Sequence, residues 1–524
     1  MENLMAAFDM FFQLPVIGGV FGGVLLGVVL GSIPGLTATM AIALIIPMTF
    51  YMDPVVSVSL LVGAYKGGTY GGSIPAILLN TPGTPAAAAT VLDGNEMAKQ
   101  GKPLKALKMA IYSSVIADSA SDIVLILVAP PLALIALKMG PPEMASLIFL
   151  SLLIITAVAG DSMIKGLIVG AIGLIVGLVG LDSITAVRRF GFGFTELDEG
   201  ISLIPMLIGL FAVSEFLINT EIVARGKDKA VQFFASSTKK EDNQVTGEEF
   251  RRCLPIILTA SGIGTLLGDI PGIGPSIAAF AGYAQAKKMS KHPEKFGKGA
   301  IEGVAAAEAG NNAVCGANLI PLLTLGIPGD IGAAVLLGAF MIQGLHPGPM
   351  LFKENIVTVY AIFMALLLAN VFNFLISIFY IRIASKVVLI PKSYIFPAVL
   401  ALCFFGAYGF NQNLFDVWIA LIFGVLGYIL RRNGFPVAPL LIAFMLEPIL
   451  EGAFRQSLLM SGGSLGIFVT HPISGVFLGL AAIGIVWSAV DSFRKSRGKP
   501  VQPGDALISD SCIFIQMEAG KEVN

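Results

Sequence analysis

Six consecutive residues in an apolar setting, Asn80-Thr81-Pro82-Gly83-Thr84-Pro85, carry two prolines, two threonines, a glycine and an asparagine. Proline lacks a backbone donor and, with glycine, breaks a helix; the freed groups must then be satisfied or line a cavity. A break at membrane depth exposes two helix ends. Its N-terminal end offers free N–H groups and partial positive charge, which suit a carboxylate. Unwound carbonyls and hydroxyls can hold Na⁺. A second segment of this kind is Thr324 with Gly326-Ile327-Pro328-Gly329-Asp330, and two further breaks are Gly31-Ser32-Ile33-Pro34-Gly35-Leu36 and Gly268-Asp269-Ile270-Pro271-Gly272-Ile273. Four broken points can converge on one mid-depth site that binds an anion without any arginine in the bilayer.

The expected substrate contacts in these breaks are Ser32, Gly35, Thr37, Asn80, Thr81, Pro82, Gly83, Thr84, Gly326, Pro328 and Gly329. Asp269, Thr324 and Asp330 suit a cation, because an aspartate repels an anionic substrate. The competing roles are kinking with Ser/Thr back-bonding, and capping of the second half-helix by Ser32, Thr37, Thr39, Asp269 and Ser276. Asn311 and Asn312 follow Glu308 in an apolar run, where polar groups are expensive and tend to be functional. They contact ligand or bond another helix. Lys66 pairs a substrate carboxylate, snorkels, or pairs an acidic neighbour. Asp118 and Asp122, one helical turn apart, form a relay or, more simply, a polar seam.

No other chemistry is indicated. His292, His346 and His471 fall in expected loops without ligand spacing, so neither a metal site nor a catalytic residue is expected. Cys253, Cys315, Cys403 and Cys512 are scattered and read as small apolar residues. A net charge of −1 gives no reason to expect nucleic acid. No cofactor is expected beyond a coupling Na⁺ or H⁺.

The elements that hold these breaks are apolar helices. Of 524 residues, 56% are hydrophobic and 13% charged, and mean hydropathy is +0.85. Runs at 144–160, 163–181, 356–381, 414–430 and 474–491 are close to the roughly 17–25 residues that cross a bilayer. The N-terminal 13 residues hold Glu2 and Asp9 but no basic residue, so the first apolar segment is expected to be retained.

The chain repeats itself. Gly31 to Leu36 matches Gly268 to Ile273 at an offset of 237, and Ile74 to Leu79 matches Ile320 to Leu325 at 246. The larger offset also aligns Pro82-Gly83 with Pro328-Gly329. Basic residues decorate the copies in opposite places: Lys99, Lys102, Lys105 and Lys108 in the first, Lys287, Lys288, Lys291, Lys295 and Lys298 in the second. Basic loops stay cytoplasmic, so equivalent loops lie on opposite sides. The expected fold is an all-α polytopic membrane protein of two inverted-topology repeats, each with a re-entrant hairpin and an interrupted helix, about 11 crossings plus two hairpins in all. The hairpin arms, 254–267 and 273–286, have about 14 residues, roughly 21 Å as helix. The expected division is repeat one, 1–224; a cytoplasmic connector, 225–252; repeat two, 253–455; an extra helix, 456–493; and a cytoplasmic tail, 494–524. Arg188-Arg189 on the outer side is the one violation of the charge rule.

Gly31 to Thr37, Tyr70-Gly71-Gly72-Ser73-Ile74-Pro75, Asn80 to Pro85, Glu308-Ala309-Gly310-Asn311-Asn312 and Gly326 to Asp330 resemble the large membrane subunit of the tripartite tricarboxylate transporters, the TctA family, over residues 15–490. The resemblance implies a bacterial inner-membrane permease for citrate or related di- and tricarboxylates. It also implies cation coupling, a small partner subunit of about four helices, and a periplasmic solute-binding protein. Two other classes compete: an intramembrane aspartyl protease using Asp269 and Asp330, and a non-transporting scaffold. The repeat partners of those aspartates, Ser32 and Thr84, argue against a built carboxylate pair.

Overall fold

The computed structural model describes residues 2–158, 162–182, 184–224, 237, 239–388 and 392–496. Residues 225–236 and 238 of the expected connector, and the tail beyond Ser496, lie outside the described residues.

The chain opens with α1 (Glu2–Phe11) and α2 (Leu14–Gly31), then turns into α3 (Ala38–Ile45). An interrupted unit follows: α4 (Pro54–Gly71), α5 (Ser73–Leu79) and, after a break, α6 (Ala87–Lys99). Four helical segments complete the first half: α7 (Pro103–Ala136), α8 (Pro141–Val158), α9 (Met163–Gly177), and α10 (Leu203–Leu207) running through a π turn into α11 (Ser214–Ala224). Between α9 and α10 lies a small hairpin of β1 (Gly180–Leu181) and β2 (Arg188–Arg189).

The second half has the same plan. Helices α12 (Gly247–Gly268) and α13 (Gly274–Met289) form the hairpin; α14 (Ile301–Ala317), α15 (Leu319–Leu325) and α16 (Ile331–Ile342) form the interrupted unit. After α17 (Leu351–Glu354) come α18 (Ile356–Tyr380), α19 (Ala384–Val388), α20 (Lys392–Asn411), α21 (Leu414–Arg432) and α22 (Ala438–Met460), then α23 (Ile467–Thr470) and α24 (Pro472–Ser496). Among the described residues, seven helices are long and apolar enough to cross a membrane.

Backbone geometry repeats with the sequence. Gly35 and Gly272 both take left-handed φ, +93° and +89°. The helix before each second break ends on a left-handed residue, Asn80 (φ 56°) in one half and Gly326 (φ 72°) in the other. Tight helix contacts explain part of the glycine content. A β-carbon at Gly23 of α2 would lie 1.9 Å from the Leu60 carbonyl oxygen of α4, and one at Gly264 of α12 would lie 2.5 Å from that of Gly310 on α14. In a bilayer, where burial does not drive helices together, such close backbone approach is a main source of association.

Helices α4 and α14 cross near the middle of the molecule. Cys315 Sγ lies 3.5 Å from Thr69 Oγ1, and these two residues are repeat equivalents at the 246 offset. Asn318 Nδ2 donates to Tyr65 Oη at 3.3 Å. Residue numbers therefore fall on α4 as they rise on α14, and the crossing is antiparallel. Around it α4 packs against α18, while its counterpart α14 packs against the counterpart of α18, the long helix α7.

Polar contacts at the helix ends form two sets. In one, Lys102 pairs Asp242, Lys105 pairs Glu249 and Arg252 pairs Glu302. In the other, Arg189 pairs Glu451, Arg455 pairs Asp182, and Glu143 bonds His471. Helix α7 runs from the first set to the second, with 34 residues and a length of about 51 Å. Arg188 and Arg189, exceptional by the charge rule, are held by Asp198, Glu451 and Asp182. Their charge is matched locally.

One expectation needs correction. Helix α12 has 22 residues rather than about 14. A capping box, with Thr246 accepting from Glu249 N and Glu249 accepting from Thr246 N, starts the helix seven residues early. At about 33 Å this arm is long enough to cross, so arm length no longer argues for a re-entrant loop. The arms still return to one end. Glu249 and Arg252 of α12 line the same 610 Å³ cleft as Ser290 and Lys295, just past α13.

Candidate functional site

The four breaks meet in pairs, one pair per half. In the first junction the Gly83 N–H donates to the Gly72 carbonyl at 3.0 Å, and a β-carbon on Gly83 would lie 3.0 Å from Gly31 O. In the second, Gly272 N–H donates to Gly329 O at 2.8 Å, and a β-carbon on Gly329 would lie 3.1 Å from Gly268 O. Gly31 and Gly268, like Gly83 and Gly329, are repeat equivalents. With Tyr65 level with Asn318 and Thr69 with Cys315, Gly72 and Asn318 stand about 10 Å apart along the helix axes. Two junctions therefore flank the crossing, where the sequence suggested a single convergence.

In the first junction, Asn80, Thr81 and Pro82 are exposed and Gly83 is buried. Thr84 Oγ1 accepts from Ala87 N at 3.3 Å and Thr37 Oγ1 from Met40 N at 3.2 Å, so both cap the helices that follow. Thr81 Oγ1 bonds back to Leu79 O. Ser32, fully buried, bonds Val29 O and lies 2.6 Å from the Tyr380 hydroxyl. The left-handed Gly35 faces the Asn219 amide, whose oxygen would be 3.2 Å from a β-carbon there.

The second junction is acidic. Asp330 caps α16 through Ala333 N at 2.7 Å. Asp269 ends α12, and its Oδ1 is buried without a hydrogen-bond partner among the described residues. Thr324 Oγ1 bonds back to Ile320 O at 2.6 Å. Gly326 and Pro328 form the turn between these residues, and Gly329 lies against the Asn318 amide oxygen. Capping thus accounts for Thr37, Thr84 and Asp330, while Ser32, Thr81 and Thr324 bond back to carbonyls. Each retains lone pairs for a ligand.

Lys66 takes one of the alternatives its sequence setting allowed. It is fully buried and donates to Asp118 at 2.8 Å, Asp122 at 2.6 Å and Asn370 at 3.2 Å. Its three N–H groups are used by the chain's own oxygens, which leaves none for a substrate carboxylate. Asp118 and Asp122 accordingly form an ion-paired seam. Asn312 Nδ2 donates to Ser114 Oγ at 2.8 Å and to Glu308 O at 3.0 Å, while both polar atoms of the buried Asn311 lack partners among the described residues.

Asp93 carries no local signal in the sequence. Its Oδ1 accepts from the backbone N–H groups of Gly297, Gly299 and Ala300 at 2.8–2.9 Å, and its Oδ2 from Tyr283 Oη at 2.9 Å. It ties α6 of the first half to the start of α14 in the second. Tyr65, Thr90 and Asn370 are long-range partners of the same kind. Only the stripe Ser114, Asp118, Asp122 on α7 is readable as one helix face, by its four-residue spacing.

The sequence matches the family model described as Tripartite tricarboxylate transporter TctA family over residues 17–442. The chain belongs to the TctA family. It is a multi-pass membrane protein of a transporter component family. This TctA-family chain is also 38% identical over 462 residues to an uncharacterized 52.8 kDa protein in the TAR-I ttuC′ 3′ region of Agrobacterium vitis, covering 88% of this chain and 90% of that one. A second Agrobacterium vitis protein, from the TAR-II ttuC′ 3′ region, is 39% identical over 234 residues, 45% of this chain and 97% of its own length. No solved structure matches.

Proposed function

We propose that this TctA-family chain is the translocating subunit of a cation-coupled secondary transporter that carries a citrate-like di- or tricarboxylate across the bacterial inner membrane. A periplasmic solute-binding protein feeds it, and a small four-helix membrane subunit accompanies it. The observation that carries the reading is the antiparallel crossing of α4 and α14, with one pair of helix breaks on each side. Inverted repeats joined at such a crossing can rock so that a site between them opens to either face. The two sets of end contacts support the orientation: the basic set, with Lys99 to Lys108 and Lys287 to Lys298, is cytoplasmic.

In this reading the first junction binds the substrate. Its polar groups are neutral, and the N-termini of α3 and α6 supply partial positive charge for a carboxylate. Asp269, Thr324 and Asp330 at the second junction contact a coupling cation. Asn311 and Asn312 line the space between. Protease chemistry is disfavoured because Asp330 Oδ1 is committed to a helix cap. The test is uptake of labelled citrate into proteoliposomes holding the chain, its small subunit and its binding protein. Uptake should require an inward Na⁺ or H⁺ gradient; gradient-independent flux would indicate a channel.

A further inference from the structure

Three carboxylates, Asp118 and Asp122 on α7 and Glu308 on α14 against it, are buried in one polar stripe, and among the described residues Lys66 is the one cation paired with any of them. Lys66 is bound to the two aspartates. Glu308, which is 0% exposed, touches only neutral groups: Thr90 Oγ1, Ser114 Oγ at 3.0 Å and Asn312 Nδ2 at 3.4 Å. A carboxylate without a countercharge at this depth is among the most expensive things a membrane protein can hold.

We propose that Glu308, Thr90, Ser114, Ser73 and Asn312 form a binding site for a sodium ion, separate from the Asp269 and Asp330 junction. A buried amide oxygen supports this independently of the carboxylate. Among the described residues Asn312 Oδ1 has no hydrogen-bond partner, although its amide nitrogen is anchored to Ser114 and Glu308. Ser73 Oγ, also buried, lies against the Glu308 carboxyl group. A carboxylate, hydroxyls and an amide oxygen are the hard oxygen ligands that alkali and alkaline-earth cations take. Thr90 and Ser114 can donate their protons to the carboxylate while turning lone pairs to the ion. Helices α5, α6, α7 and α14 all contribute, and Ser73 directly follows Gly72, whose carbonyl holds Gly83. The ion therefore stands beside the first junction, where its charge favours a bound carboxylate.

The test is equilibrium binding of ²²Na⁺ to the full-length protein in detergent, which does not depend on the transport reading. Saturable binding is expected for the wild type, with apparent affinity lowered at least tenfold in Glu308→Gln and several-fold in Thr90→Val and Ser114→Ala. The double variant Asp269→Asn/Asp330→Asn should retain this component. If Glu308→Gln does not elute as a folded species, the near-isosteric Thr90→Val carries the test. Unchanged ²²Na⁺ affinity in a folded Glu308→Gln or Thr90→Val overturns the site. So does a wild type that binds no ²²Na⁺, which would mean a protonated Glu308. Sodium binding without citrate uptake would leave this site standing and count against the transport reading alone.

Discussion

The two junctions share a backbone and differ in charge. Both join a hairpin tip to a helix break through a glycine pair, Gly31 with Gly83 and Gly268 with Gly329. The first presents Ser32 and Thr84, whereas at the equivalent positions the second presents Asp269 and Asp330. The shared geometry depends on glycine and proline, while the side chains presented at the two junctions differ. Under the proposed function, an anion and its coupling cation need opposite surroundings, which one scaffold used twice would supply.

The largest difference is expected from breaking the glycine contacts. A β-carbon on Gly83 meets backbone, 2.7 Å from Gly72 Cα, whereas one on Gly329 first meets the movable amide of Asn318, at 2.2 Å. Gly83→Ala should reduce uptake at least a hundredfold, and Gly329→Ala by about tenfold or less, because overpacking costs about 1–3 kcal/mol when neighbours can shift. Equal losses in citrate uptake would remove this distinction. Lys66 tests the ion-paired seam between α4 and α7. Lys66→Met leaves two buried carboxylates unpaired and should cost about 3–5 kcal/mol, read as loss of monodisperse protein or a lowered unfolding temperature. Restoring neutrality with Asp118→Asn and Asp122→Asn should recover part of it.

Next in size are the ligand effects that separate the junctions. Asp269→Asn should lower the apparent affinity for the coupling cation about tenfold with little change in that for citrate. Asn80→Ala and Pro82→Ala should impair citrate uptake several-fold while the protein remains inserted. A reversal of these two outcomes would exchange the roles of the junctions. The smallest effect lies outside the membrane. The backbone N–H groups of Thr185 and Ile184 hold the Asp182 carboxyl well below the usual carboxylate range. Its stabilising contribution is therefore present above an unfolded value of about 3.9 and is lost as pH falls through the folded value. Asp182→Asn should lower the unfolding temperature by a few degrees at pH 7, with the gap closing as the solution is acidified below about pH 4.

Glycine and proline made the breaks legible in the sequence, because those residues act through their own backbone. Asn80 and Gly326 end their helices in left-handed conformations just before the Pro-containing segments. Helix positions followed from apolar length, as with α18 and α21. Pairing across the molecule was not legible. Lys66 and Asp118 are 52 residues apart, and Thr90 and Glu308 are 218 apart, so no local pattern joins them. The length of α12 was underestimated because its first two turns are polar and are started by the Thr246 capping box, not by apolar periodicity.

Side-specific labelling of single cysteines in intact and inverted membrane vesicles tests the central claim most directly. Cysteines substituted at Lys99 and Lys291 should react from the cytoplasmic face. One at Lys353, in the loop that repeats the Lys102 region, should react only from the opposite face. If Lys99→Cys and Lys353→Cys were labelled from the same side, the halves would run in parallel and the paired-junction account would fail.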